Sequence, residues 1–469
     1  MRIHVGKKIL QFWGLLISIV LVSLAYRALS IPPESDWIDY TLTLTPYASE
    51  VIPEMLETEP WRLWLPWDQG TGGRIRWNPT KSLPVYFLST ILSPQALYLV
   101  LTSIMVIALY VAGYTATKSL RFAGALGIIA TFSTFLNYSF VYGSLARNYL
   151  MIAYAALAAA MLIQYLKASP SKENLWLIGF IVVMPLLILA GEFWINLVIP
   201  VLISFGYVFA WAKYQNQVQI GNRIKRVSIA LTGMVIAYFA FRIQFASSSF
   251  ESGFENEVVF TYSSWLLMIE DMVVNYMTYV HMTLSSVLPG FLTFSPSYTH
   301  LGPELILEEQ HGYHQQFASH VVSSHLTSWR FVAGFMFAGA LAAGWHWVKA
   351  AWRSTDGEKL VSVVLLIIVL TGFAGYIPIK MRPFLLTGVF HYKVLMSATA
   401  LMVLLAWLIH ESATWKARNY QRQAFVAVVL GSVLLAGFTR PTTYRPALEA
   451  VGLNYRGDPV VNFENWVRE

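Results

Sequence analysis

The sequence predicts an all-α integral membrane protein of about eleven transmembrane helices with two structured extracytoplasmic loops, and three observations predict it. Hydrophobic residues make up 56% of the 469-residue chain and charged residues only 12%, about half the charged share of a soluble domain. Several apolar runs approach the roughly 20 residues that cross a bilayer as a helix, in keeping with a mean hydropathy of +0.54. The basic residues fall in short clusters between those runs, the pattern that sets membrane orientation.

The first span is 9–30. It follows the basic segment Met1–Lys8, its apolar stretch Ile9–Ile31 is too long for a signal-peptide core, and no small-residue cleavage site precedes Pro32. An uncleaved first helix is expected. Further spans are expected at 95–116, 122–140, 148–166, 174–192, 193–212, 227–245, 328–349, 360–378, 389–409 and 424–438. With the N-terminus inside, every cytoplasmic segment is basic. Those segments hold Arg2, Lys7 and Lys8; Lys118 and Arg121; Lys167 and Lys172; Lys213, Arg223, Lys225 and Arg226; Lys349, Arg353 and Lys359; and Lys416, Arg418 and Arg422. The expected location is the cytoplasmic membrane, N-terminus inside and C-terminus outside.

The chain then divides into an N-terminal transmembrane module (1–245) carrying a first outside loop (32–93), a second outside loop (246–327), C-terminal spans (328–438) and an outside tail (439–469). Loops of this length are functional or disordered more often than neutral, and both are too rich in aromatic and apolar pieces for disorder. Residues 84–93 and 261–293 read as interfacial or re-entrant helices, Glu270 and Asp271 interrupting the second.

Several function classes are excluded. The chain has no cysteine, hence no disulfide, thiolate metal site or cysteine nucleophile. Its net charge of +7 comes from topology determinants, so no nucleic-acid partner is expected. No Walker loop, dinucleotide fingerprint or GxSxG elbow is present. An outside active site would need a membrane-borne, already activated donor, and no organic cofactor is expected. His311 and His314, after Glu308 and Glu309, leave a divalent cation open, although no metal-binding motif frames them.

The polar residues that remain gather on the outer side. Asp36 and Asp39 follow the first span at a spacing that shares one helix face. Carboxylates beside apolar walls serve as general bases; the same spacing also fits a capped, solvated helix start. Further along the loop come a Trp cluster, Asp68, Gly70, Gly72 and Gly73, then Arg74 and Arg76 and the segment Trp77-Asn78-Pro79. A glycine turn with arginines can present N–H and guanidinium groups to a phosphate. Arg147, Glu192, Arg242, Lys380, Arg382, His391 and Lys393 lie near the outer ends of spans. Charges at that depth face polar cavities or pair with one another, and long basic side chains also snorkel to the interface.

In these features the chain resembles the GT-C class of membrane glycosyltransferases, which use polyprenyl-phosphate sugars outside the membrane. The resemblance rests on the acidic motif Asp36/Asp39 after the first helix and the large first outside loop; Trp77-Asn78-Pro79 and the stretch Arg382-Pro383-Phe384 … His391-Tyr392-Lys393 lie where such enzymes often build their site. It covers mainly the first 120 residues and 370–410; the substantial C-terminal soluble domain of larger members is not expected here. The resemblance implies that Asp36 or Asp39 is the base and that Arg147, Arg242, Lys380, Arg382 and Lys393 bind the donor phosphate. Asp68, Arg74, Arg76, Glu192 and His391 would contact substrates. The implied partners are a polyprenyl-phosphate sugar, an extracytoplasmic glycan, lipid or protein acceptor, and membrane lipids. The alternatives are a polysaccharide polymerase or ligase working through His320, His325 and Arg330 of the second loop, a transporter or flippase, and a non-catalytic membrane subunit.

Overall fold

Ser93 and Pro94 show how local chemistry sets the helix starts. The Ser93 hydroxyl accepts from the Ala96 N–H, and Pro94 occupies the first helical position, where its missing N–H costs nothing. At the far end of that helix Lys118 takes a left-handed conformation (φ 57°) and its N–H closes onto the Tyr114 carbonyl. The next helix starts at once behind Ser119, whose hydroxyl accepts from the Phe122 N–H. Tight capped turns of this kind let the chain reverse within a few residues at the membrane surface.

The computed structural model describes residues 2–30, 46–64, 67–68, 75–76, 79–133, 148–191, 195–246, 283, 345–355, 358–372, 395–415 and 418–450. Helix α1 is Arg2–Ser30. A short amphipathic helix, α2 (Pro46–Thr58), leads into a 3-10 turn at Pro60–Trp64. Two-residue strands β1 (Trp67–Asp68) and β2 (Ile75–Arg76) pair antiparallel, Trp67 opposite Arg76. Then come α3 (Pro79–Ser89), α4 (Pro94–Thr117), α5 (Leu120–Phe132), α6 (Tyr149–Lys167), α7 (Pro170–Ile188), α8 (Ile195–Tyr214) and α9 (Val218–Ala246). Residues 345–353 are helical, followed by α10 (Glu358–Thr371), α11 (Leu395–Glu411) and α12 (Asn419–Ala450).

Among the described residues, eight helices are long and apolar enough to cross a membrane: α1, α4, α6, α7, α8, α9, α11 and α12. The chain is a multi-pass membrane protein, and its described residues are almost wholly helical. The expected spans at 122–140 and 360–378 correspond to the shorter apolar helices α5 and α10. Of the expected span 328–349, only 345–349 falls within the described residues.

The core is the bundle of α1, α4, α5, α6 and α11, with α12 against α5. Its interior is apolar and small-residue rich at the crossings; a Cβ on Gly127 would stand 3.0 Å from Ile19, and one on Gly124 3.1 Å from Leu15. Outward faces stay apolar: Leu10, Ile17 and Leu21 of α1 and Leu175, Ile178 and Val182 of α7 are exposed. In water such a surface would drive aggregation; against lipid it is the expected finish.

The basic turns meet at one end of the bundle. Arg121 donates to Ser412 Oγ at 2.9 Å, and Ser119 Oγ lies 3.1 Å from His410 Nδ1. Gln164 Nε2 bonds the Thr115 carbonyl. Trp211 and Gln215 donate to the carbonyls of Ser354 (3.0 Å) and Trp352 (2.8 Å). Arg223 is buried and donates to the last carbonyls around the end of α6, Leu166 O at 2.9 Å and Ala168 O at 2.8 Å, and to Glu173 at 3.0 Å. Among the described residues, the helices joined by these turns therefore run in alternate directions. Arg223→Ala would remove the donor to two helix-end carbonyls and leave Glu173 with the exposed Arg226 as its remaining cation, and is expected to cost about 2–4 kcal/mol of stability. A melting-temperature drop of several degrees in detergent, with Arg226→Ala nearly silent because Arg226 is exposed, checks this.

Candidate functional site

The end of the bundle opposite the basic turns carries two buried cations. Arg27 stands three residues before the end of α1 and is fully buried. Its guanidinium donates to the Tyr98 hydroxyl at 3.2 Å and to the Thr131 carbonyl at 3.2 Å, tying α1 to α4 and α5. The Tyr26 ring lies 5.6 Å from the guanidinium carbon, within cation–π range. Ser23, also buried, lies one turn earlier on the same side of α1. A charged side chain within a span costs about 3 kcal/mol to insert even on lenient scales, so it is retained where partners or function compensate.

Lys81 is the second. It sits in the first turns of α3, whose residues Pro79–Leu83 are all buried, so this half of the helix is seated in protein. The Thr80 hydroxyl donates to Leu186 O of α7 at 2.7 Å, and the Tyr154 hydroxyl of α6 donates to Thr80 O at 3.0 Å. These bonds fix the helix between α6 and α7. The Lys81 ammonium, 9% exposed, donates to Asn148 Oδ1 at 3.1 Å. It also lies 3.4 Å from where a Cβ on Gly191 would stand, and Gly191 has φ +147°, a conformation that favours glycine.

The two cations belong to one seam. Arg27 bonds Tyr98, the Tyr98 and Tyr149 rings lie 6.4 Å apart, and Tyr149 follows Asn148, the partner of Lys81. Buried cations with several donors aimed into a protein interior suit a phosphate or carboxylate.

The chain matches no protein-family model, no curated protein and no solved structure.

None of the sequence-predicted site residues has its side chain described. Asp36, Asp39, Arg74, Arg147, Glu192, Lys380, Arg382, His391 and Lys393 lie outside the described residues, as do His311, His314, His320, His325 and Arg330. Arg242 lies on α9, and Asp68 and Arg76 on β1 and β2, with backbone alone described. Their neighbours, however, converge. Asn148 follows Arg147, Gly191 precedes Glu192, and both contact or approach Lys81. Arg27 lies in the last turn of α1, nine residues before Asp36 in the sequence. The expected helix at 84–93 begins earlier, at Pro79, where proline suits the first helical position.

Arg27, Lys81 and Asn148 were not singled out from the sequence. An arginine inside the first apolar span was the available signal, and Lys81 stands two residues beyond the Trp77-Asn78-Pro79 segment.

Proposed function

We propose that this protein is a membrane glycosyltransferase that moves a sugar from a polyprenyl-phosphate donor to an acceptor on the extracytoplasmic side. The observation that carries the reading is the pair of buried cations, Arg27 and Lys81, linked through Tyr98, Tyr149 and Asn148 at the end opposite the basic turns. By the positive-inside rule the basic end is cytoplasmic, which makes the Arg27 end the outer one. A lipid phosphate reaches such a site from the bilayer.

In the proposed step the acceptor hydroxyl gives its proton to Asp36 or Asp39 and its oxygen bonds the anomeric carbon. The bond between that carbon and the phosphate oxygen breaks, and its electron pair stays on the phosphate. The departing polyprenyl phosphate gains one negative charge. Fixed cations lower a barrier most where charge develops. Arg27 and Lys81 take that role, joined by the candidates Arg147, Arg242, Lys380, Arg382 and Lys393; Asp68, Arg74, Arg76, Glu192 and His391 serve acceptor and sugar. The acceptor is a glycan, a lipid or a protein.

The experiment is transfer of labelled sugar from a polyprenyl-phosphate donor in proteoliposomes. Replacing Asp36 and Asp39 together with asparagine is expected to reduce transfer by about a hundred-fold or more, the general-base contribution, with melting unchanged. Undiminished transfer by that double variant would sink the mechanism.

A further inference from the structure

Helix α12 runs on past its apolar span. Its apolar run gives way after Phe438 to Thr439-Arg440-Pro441, while the helix continues to Ala450. Twelve further residues make an arm of about 18 Å. At the base of that arm three observations coincide. A Cβ on Gly437 would stand 2.8 Å from the Phe132 carbonyl oxygen and 3.1 Å from the Phe132 Cβ, so α12 crosses the end of α5 at backbone contact. Residue 441 is proline, so the N–H that would bond the Gly437 carbonyl in an α-helix does not exist. That carbonyl instead accepts the Tyr26 hydroxyl at 2.5 Å, a bond buried between α1 and α12. Around it Tyr26, Phe132 and Phe438 pack as a trio, with ring centroids 4.8, 5.6 and 5.5 Å apart.

Proline inside a helix removes a bond and opens a kink; a carbonyl so freed within a membrane must find another donor. Here the donor comes from a different helix, immediately before Arg27. We propose that α12 is hinged between Gly437 and Pro441 and that the Tyr26 hydroxyl is the latch that fixes the hinge angle. The inference stands apart from the glycosyltransferase reading, because it needs no substrate. Its consequence for the site is positional: Tyr26 and Arg27 are neighbours on α1, and Phe132 follows Thr131, whose carbonyl Arg27 bonds. The arm's base and the guanidinium are therefore held by adjacent residues of the same two helices.

The absence of cysteine allows spin labels to be placed without background. In the full chain in nanodiscs, one pair (Leu448→Cys with Ile91→Cys) reports the arm. A second pair (Val428→Cys with Ile178→Cys) reports the bundle. The bundle sites and Ile91 are exposed. Tyr26→Phe is expected to broaden the arm distances and shift them by about 6 Å, the travel of an 18 Å arm through a kink of about 20°. The bundle pair stays at its wild-type distance. Adding Pro441→Ala restores an N–H to the Gly437 carbonyl, so the double variant Tyr26→Phe/Pro441→Ala returns the arm distances to a narrow distribution. Three results would each overturn the proposal: wild-type arm distances in Tyr26→Phe, a double variant as broad as Tyr26→Phe alone, or a bundle pair that broadens together with the arm.

Discussion

Replacing Arg27 with glutamine is expected to lower sugar transfer from a polyprenyl-phosphate donor by about a hundred-fold or more, the size of effect seen when a fixed donor to a developing anion is lost. Fold and activity separate in this variant. Glutamine keeps an amide donor near the Tyr98 hydroxyl and the Thr131 carbonyl, which Arg27 bonds at 3.2 Å each. The lost hydrogen bonds to a charged group, about 1.5–3 kcal/mol each, are offset by the roughly 3 kcal/mol no longer needed to hold a charge within the span. Melting in detergent should therefore move little while transfer collapses. Arg27→Lys keeps the charge but not the planar fork that reaches α4 and α5 together, and is expected to fall between wild type and Arg27→Gln. Equal transfer by wild type and Arg27→Gln would remove Arg27 from the site.

Lys81→Met is expected to weaken donor binding by about ten- to a hundred-fold, or 1.4–2.8 kcal/mol. Two unit charges 4 Å apart near a protein surface interact by about 4 kcal/mol, so loss of one cation is enough for a change of that size. Methionine keeps the length and apolar stem, so α3 stays seated through Thr80 and its bonds to α6 and α7. Asn148→Ala removes an acceptor from the ammonium and should give a smaller loss in the same direction. The measurement is donor titration against melting temperature; a weaker affinity accompanied by an equally lowered melting temperature would mark Lys81 as structural.

The sequence made the membrane class and the alternation of the helices legible, because both rest on local properties. Span length is a matter of consecutive apolar residues. Basic turns alternate with the apolar runs along the sequence, and the bonds Arg121–Ser412, Gln164–Thr115 and Trp211–Ser354 gather the described turns at one end. The seam was not legible, because its contacts are distant in the chain. Arg27 meets partners 71 and 104 residues away and Lys81 one 67 residues away. An arginine four residues from the end of an apolar run reads as a snorkelling residue until its neighbours are known. Lys81 was hidden for a related reason: α3 looks like an interfacial helix in sequence, and only its packing against α6 and α7 shows that its first half is buried. Arg147 and Glu192 are the chain neighbours of Asn148 and Gly191.

The most direct measurement is the binding of polyprenyl phosphate, compared with the uncharged polyprenol, to the purified full-length protein by native mass spectrometry. Saturable binding of the phosphate but not of the alcohol, weakened about tenfold or more in both Arg27→Gln and Lys81→Met, is the expected result. Equal binding of phosphate and alcohol, or phosphate binding untouched by either substitution, would contradict a lipid-phosphate site at the Arg27–Lys81 seam.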